Sequence, residues 1–490
     1  MQRNSSNEDL KTIQLFDAMD SLIEYDEDLI LKKARSLKKQ QLSNVKALLY
    51  KQLLASLRLL ENKNIDIQLH EQLDYSRILY TKGLYLQSLK LLDKIKETAR
   101  AHNQISLLVQ VLFLEKKIES LHITRSLEPR ASQLIDETME VNEKLVRISM
   151  LSNLSLALYS RYINYGHARN AQDEKEVTDY FEKHLREDLK NPSGFYEKLY
   201  FNQSYCWYAF LKQDFLMYYR YTQRWVNLFE DDQLMKEIET ASYIKGKHNL
   251  LTAHFTLRNY PGFAKELERF EDFAQSGLAN LNENNSIQVF IYLYIARINK
   301  HFLEGTFSEG LPLVKEITDK LDEFHIYLDR HRILVFYYKI ASLYFGAGDF
   351  SKSIDYLNKI INLKVDLRND LQCYSRLLHL IAHYELGNLE LMEYLVKSVF
   401  RFMAKMDNMS LVEEEVFKFL RKTFHLPAQK IKPEFVKLLA TMKQFEKDRY
   451  ETRAFVYLDI ISWLESKVQE KPIAEIILQK YKAKDRPISD

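Results

Sequence analysis

The residues of this chain whose types and spacing could do chemistry are two histidines, two cysteines and a lysine-rich run. His379 and His383 stand four apart, so on a helix they share a face, a spacing with which two imidazoles can ligate a metal. Glu385 is close in sequence but falls on a different face from His379. Two polar positions on a helix, one of them a core histidine, is the simpler reading. Cys206 lies in an apolar, aromatic stretch and reads as a small packing residue; a reactive thiolate needs an electropositive, partly exposed setting. With only Cys373 beside it in the composition, it can build neither a disulfide framework nor a four-thiolate zinc site, and a reducing compartment fits. Gly246-Lys247-His248 lacks the upstream glycine and the hydroxyl of a phosphate loop, and GxGxxG, GxSxG and HExxH are absent. The expectation is a protein that is not an enzyme and carries no cofactor or metal.

The run LKKARSLKKQQ carries Lys32, Lys33, Arg35, Lys38 and Lys39, which could contact phosphates. It follows Glu24, Asp26, Glu27 and Asp28, so a basic face that is solvated or paired with those acids is preferred to a nucleic-acid surface. A formal net charge of +2 adds nothing in favour of a nucleic-acid or anionic-membrane partner. Aromatic residues are a different matter. They fill 14 of the 35 positions from 195 to 229, against 12% of the whole chain, and one helical face cannot hold them all. Tyr218 and Tyr219 fan round a helix with Arg220 and Arg224 interleaved, and Tyr208 lies one helix earlier. Tyr, Trp and Arg are enriched where proteins bind proteins, so these five residues are candidate partner contacts. Filling the core between helices is the competing and simpler reading.

The elements that would hold these residues are helices. The chain has 11 Gly and 8 Pro in 490 residues, roughly a third of average usage. Hairpins and phosphate loops consume glycine and long helices do not. One unit is plain between Leu334 and Leu363. Tyr337, Ile340, Ala341 and Tyr344 recur at helical spacing, Gly348-Asp349-Phe350 interrupts, and Ile354, Leu357, Ile360 and Ile361 form a second apolar face. Glycine can end the first helix in the left-handed conformation and aspartate can cap the second. Ala341 and Ser353 are small enough to let the two helices approach closely, and Phe350 can plug the turn. Weaker copies occur at Lys82-Gly83-Leu84-Tyr85, Gln213-Asp214-Phe215, Arg258-Asn259-Tyr260, Gly305-Thr306-Phe307 and Gly387-Asn388-Leu389, with degenerate turns expected near Leu121 to Arg125 and at Tyr165-Gly166-His167.

This pattern resembles the tetratricopeptide repeat, carried here by Tyr337, Ala341, Gly348, Asp349, Phe350 and Ser353. Seven steps between turns at 83 and 387 give about 43 residues per unit, against about 34 in the standard repeat and about 40–47 in HEAT and armadillo repeats. Period alone favours the latter, and the turn chemistry and small residues favour the tetratricopeptide plan. Leu15-Phe16-Asp17-Ala18-Met19-Asp20 and Asp459-Ile460-Ile461-Ser462-Trp463-Leu464-Glu465-Ser466 also resemble the ends of a bacterial family of long helical-repeat proteins, a likeness that implies no activity.

The expected fold is an all-α, right-handed α-solenoid of antiparallel helix pairs. Residues 1–9 are expected to be disordered, 10–62 to form leading helices, 63–408 the repeats, 409–484 capping helices with starts favoured by Pro433 and Pro472, and 485–490 a tail. The resemblance implies a scaffold or regulator that holds a peptide or partner protein on its concave surface. By analogy Val335, Tyr338, Ser342 and Phe345 would line it, together with Tyr208. Tyr338 and Ser342 stand where a carboxylate clamp of this family wants charge and amide, which argues against such a clamp in that unit. The polar start from Met1 to Asp9 and the absence of any run of about 20 apolar residues lead to an expected cytoplasmic protein with no membrane partner.

Overall fold

The computed structural model describes residues 7–22, 24–61, 64–122, 128–363, 369–405, 410–423, 426–448, 450–451, 455 and 459–483. Among the described residues all regular structure is helical, and consecutive helices pack as antiparallel pairs. No described helix is long and apolar enough to cross a membrane.

The pairs are made by one local device used repeatedly. The first helix (A) ends on a residue with positive φ, found at Gly166, Gln213, Arg258, Gly305, Gly348 and Gly387. These lie 47, 45, 47, 43 and 39 residues apart, so the unit of about 43 read from the turns is the unit of the fold. After the left-handed residue, the next backbone N–H turns back to the last turn of helix A. Asp214 N donates to Ala209 O at 2.9 Å, Asn259 N to His254 O at 2.9 Å and Asp349 N to Tyr344 O at 3.0 Å. The same residue then caps helix B: the Asp214, Asn259 and Asp349 side chains accept from the backbone N–H of Met217, Gly262 and Lys352. Two sets of orphan backbone groups are thus satisfied within a few residues, so the turn is specified locally. Gln213 and Arg258 adopt the left-handed conformation without being glycine, which costs about 1 kcal/mol each.

Small residues sit where helices A and B cross. Ala341 and Ser353 are fully buried. Seven residues before and five after Gly83, the corresponding Ser76 and Ser88 are also fully buried, with their hydroxyl oxygens 2.8 Å apart. Around Gln213 these two positions carry Cys206 and Tyr218.

The chain divides into two units, Met1–Leu145 and Val146–Asp490. The boundary falls inside the 38-residue helix Glu128–Tyr165, where a repeat array would have turned. Leu134 and Val141 join a core with the helices Ile65–Thr81, Tyr85–Ala101 and Ile105–Leu121. Leu151, Leu154 and Leu158 join a different core. Asn103, also at positive φ, makes an additional tight turn in the first unit that the sequence pattern does not announce. The turn expected near Leu121 to Arg125 lies partly outside the described residues.

The second unit holds the regular pairs. Its A helices are the end of Glu128–Tyr165, then Phe195–Leu211, Thr240–Thr256, Glu283–Glu304, Arg330–Gly346 and Asn369–Glu385. After the pairs come Leu411–Thr423, Ala428–Phe445, Ile460–Gln469 and Ile473–Ala483. The last helix does not stack on the end of the array. It returns to the turn at Gly305, where a Cβ would lie 2.6 Å from Ala474 O and 2.8 Å from Leu478 N, and Tyr481 meets Tyr260 edge to face at 4.8 Å. Tyr450 reaches further back, donating its hydroxyl to Glu174 Oε2 at 2.9 Å.

A candidate partner-binding groove

Five successive A helices of the second unit contribute to one cluster. Lys245 Nζ lies over the rings of Tyr159, Trp207 and Tyr292, at 5.4, 5.9 and 5.7 Å from their centroids. His248, one turn further along the same helix, stacks on Tyr292 at 4.2 Å. Lys339 Nζ donates to Asn299 Oδ1 at 2.7 Å and lies over Phe255 and Phe302, at 5.3 and 5.0 Å. Every one of these contacts joins one A helix to another and none goes to a B helix, so the cluster lies on the A-helix face. Helix Thr240–Thr256 packs against Glu283–Glu304, which in turn packs against Arg330–Gly346.

Counting from the left-handed residue of each turn explains the assembly. Lys245, Tyr292 and Val335 each precede it by thirteen residues, and Thr252, Asn299 and Ser342 by six. Phe255, Phe302 and Phe345 precede it by three. Equivalent positions of stacked units form rungs, and the rungs face one another because all units share one turn geometry.

The electrostatics of this recess are unusual. Lys245, His248 and Lys339 are half-buried, crowded by protein yet still in touch with solvent. Burial, aided by Lys245, Lys339 and Arg332, pushes the His248 imidazole down to about 3, so it is neutral at physiological pH. Burial alone pushes the Lys339 ammonium down to about 8. Among the described residues neither Lys245 nor Lys339 has a carboxylate at ion-pair distance. Arg332 is nearer the helix start, 3.5 Å from Asp329.

Several other inward cations of this protein are neutralised, whereas half-buried Arg376 is held, among the described residues, by Gln372 and the Phe402 ring. In the first unit, Lys96 Nζ is 2.7 Å from the fully buried Glu115 and 3.4 Å from Glu137, and Arg130 also pairs with Glu115. Lys96, Arg130 and Glu137 line an open depression of about 520 Å³ with Asp93, Glu97 and Arg100. Its cations and acids answer one another, as a structural network does. In the second unit Lys247 pairs with buried Glu266, and Lys467 with Glu385.

The residues singled out from the sequence are not brought together as one surface. Tyr218 is 1% exposed and donates its hydroxyl to Asn249 Oδ1 at 3.2 Å. It occupies the helix-crossing position that Ser353 fills elsewhere, which is why it is core. Tyr208 is buried and stacked on Phe181 at 4.0 Å, its hydroxyl accepting from Lys212 at 3.0 Å. Tyr338 and Phe345 are buried in the core formed with the following helices, and Val335 is half-buried against it. Ser342 is half-buried and donates to Tyr338 O at 2.9 Å. Tyr219 packs on His254 at 5.0 Å, while Arg220 and Arg224 stand exposed on a B helix, Arg224 over Tyr221. Lys245, His248, Asn299 and Lys339 carry no sequence signal of their own; aligning the units on their turns places Lys245 and Asn299 on rungs, and the contacts between stacked helices add His248 and Lys339.

The two histidines do meet, with His379 Nε2 3.3 Å from His383 Nε2, and Asn388 lies 3.0 Å from His383 Nδ1. Burial lowers both imidazoles, His379 to about 4. Among the described residues no cluster of three or more His, Cys, Asp or Glu could hold a metal ion. Cys206 is fully buried and its thiol is pushed up by burial. Lys32, Lys33, Lys38 and Lys39 are exposed, and Asp26 caps the helix Glu27–Lys33 by accepting from Leu29 N at 2.9 Å.

The crystal structure of the apo form of RapI is similar over 85% of this chain and 99% of that one, at 10% identity and a TM-score of 0.41. No family model matches the sequence, and no curated protein does.

Proposed function

We propose that this protein is a non-catalytic interaction scaffold or regulator that holds a segment of a partner protein on the A-helix face of its second unit. One observation carries the reading. Rings and ammonium groups from five successive A helices converge in one half-buried cluster, and its two lysines have no carboxylate at ion-pair distance among the described residues. A fold gains no stability from leaving such groups unpaired. Aromatic and cationic groups at the floor of a groove are, in contrast, what a binding hot spot needs. Partner contact at Tyr208, Tyr218, Tyr338 or Phe345 would require side chains now packed in the core to come out, and Arg220 and Arg224 stand on a B helix, which contributes no contact to the cluster.

The test is photo-crosslinking in the native cell. A benzophenone amino acid placed at Thr252, half-buried in the groove, is compared with one at Arg224, exposed on the outer helix. A discrete protein adduct from position 252 that is missing from position 224 supports the reading. Adducts that do not differ between the two positions, or adducts to RNA at 252, reject it.

A further inference from the structure

We infer, building on the groove reading above, that the segment held there is acidic: a carboxylate sits between the ammonium groups of Lys245 and Lys339, with apolar side chains on either side of it against Tyr292, Phe255 and Phe302.

Three observations point to this chemistry. The first is what holds each ammonium in place. Tyr159, Trp207 and Tyr292 surround Lys245, and Phe255 and Phe302 flank Lys339. Ring faces attract a cation without neutralising it. Asn299 Oδ1 takes one hydrogen bond from Lys339 and also leaves its charge intact. A lysine has three donors, so Lys339 keeps capacity for a further acceptor.

The second observation is the sign of the local field. The charges that act on His248 are Lys245, Lys339 and Arg332, all positive. The imidazole is held neutral and presents a hydrogen-bond donor and an acceptor between them. A basic ligand would meet the like charges of Lys245 and Lys339 there; an acidic one would meet charge-assisted donors.

The third is the contrast within the same chain. Lys96, Lys247, Lys467 and Lys480 also point inward, and each meets a glutamate, at positions 115, 266, 385 and 465. At these four lysines the fold itself supplies the carboxylate. Lys245 and Lys339 differ in facing a solvent-reached recess, where the carboxylate can come from outside. The burial that lowers the Lys339 ammonium to about 8 adds a pH signature: binding should weaken above that pH, as the amine of the free protein loses its proton.

The experiment uses the full chain and three labelled, end-capped decapeptides that alternate leucine with glutamate, glutamine or lysine, followed by fluorescence anisotropy at neutral pH and about 0.15 M salt. The glutamate peptide should bind at least about tenfold more tightly than the glutamine peptide, and the lysine peptide should bind least. Lys245→Met and Lys339→Met should each cost about tenfold or more for the glutamate peptide alone. Asn299→Asp guards against misfolding as an explanation. It removes no lysine, places a carboxylate beside Lys339, and should cost as much while leaving the helical circular dichroism unchanged. Equal affinity for the glutamate and glutamine peptides, unchanged affinity in the lysine variants, or no glutamate-peptide binding at roughly 1 mM overturns the inference. If the glutamine peptide binds as tightly and a Thr252→Trp block abolishes it, the acidic preference is wrong and the groove reading of the preceding section survives. If Thr252→Trp leaves all peptide binding unchanged, both are wrong.

Discussion

Lys339→Met should stabilise the protein at neutral pH, the opposite of what removing a buried hydrogen-bond donor usually does. The Lys339 ammonium is lowered by burial to about 8, from an ordinary 10.5. A drop of about 2.5 units corresponds to roughly 3 kcal/mol of penalty for keeping the charge in the folded state, at about 1.36 kcal/mol per unit. The hydrogen bond to Asn299 and the two ring contacts return part of this, each on the order of 1 kcal/mol. A net gain of about 1–2 kcal/mol on substitution by methionine is therefore expected. The gain has a pH window. The folded pKa lies below the unfolded one, so the unfolded chain binds the proton more tightly and wild-type stability rises with pH between about 8 and 10.5. Below 8 the whole penalty is present in the wild type, and above 10.5 the amine is neutral in both states. The advantage of the variant should be full at pH 7 and reversed near pH 10.5, where wild type has regained most of the roughly 3 kcal/mol while the variant still lacks the Asn299 and ring contacts. Among the charged neighbours, His248 is neutral throughout that window, arginine keeps its charge, and Lys245 is present in both proteins, so the difference isolates Lys339. A chain of two units is not expected to unfold in one step. The assay is therefore native-state hydrogen exchange of helix Arg330–Gly346, supported by the apparent melting temperature, at pH 7 and at 10.5. A variant less stable than wild type at pH 7, or one with the same advantage at both pH values, would refute the picture of an uncompensated ammonium.

Three further outcomes are expected. His248 is lowered to about 3, and His254 and His379 to about 4, by burial, so all three stay neutral when folded while the unfolded chain takes up protons below about 6.5. Stability should fall as pH drops from 6.5 toward 4, and less steeply in His379→Gln; identical melting curves across that range would count against it. Gly305→Ala should free the helix Ile473–Ala483 from the array, because its Cβ would press on the backbone of Ala474 and Leu478, whereas Gly348→Ala meets nothing within 4 Å and should cost only about 1–2 kcal/mol of backbone strain. Limited proteolysis near residue 473 distinguishes the two, and equal protection in both variants contradicts the docking. Tyr208→Ala and Tyr338→Ala should each cost about 3–5 kcal/mol as truncated core aromatics, and Arg224→Ala within about 0.5 kcal/mol of nothing, by thermal unfolding.

The turns were legible in the sequence because everything that makes them lies within a few residues. A left-handed residue, a capping side chain and an aromatic plug identify Gln213-Asp214-Phe215 and Arg258-Asn259-Tyr260 as surely as Gly348-Asp349-Phe350, although two of the three lack glycine. From those turns the pairing of helices and a unit of about 43 residues follow. The analogy to the repeat also picked out Val335 and Ser342, along with Tyr338 and Phe345, as A-face positions. What it left open was which unit puts chemistry there. The rung that ends on Val335 begins with Lys245 and Tyr292, and the rung that ends on Ser342 passes through Asn299. Lys247, two residues from Lys245, meets a buried glutamate, while among the described residues Lys245 meets the rings of Tyr159, Trp207 and Tyr292. Sequence determined that this chain is an array of helix pairs and where the pairs of the second unit turn, since those are contacts between near neighbours. Only the tertiary structure decided that Tyr218 and Tyr208 are core and that Lys245 and Lys339 are not neutralised, because burial and counter-charge depend on which side chains from helices some 45 or 90 residues apart are stacked into contact.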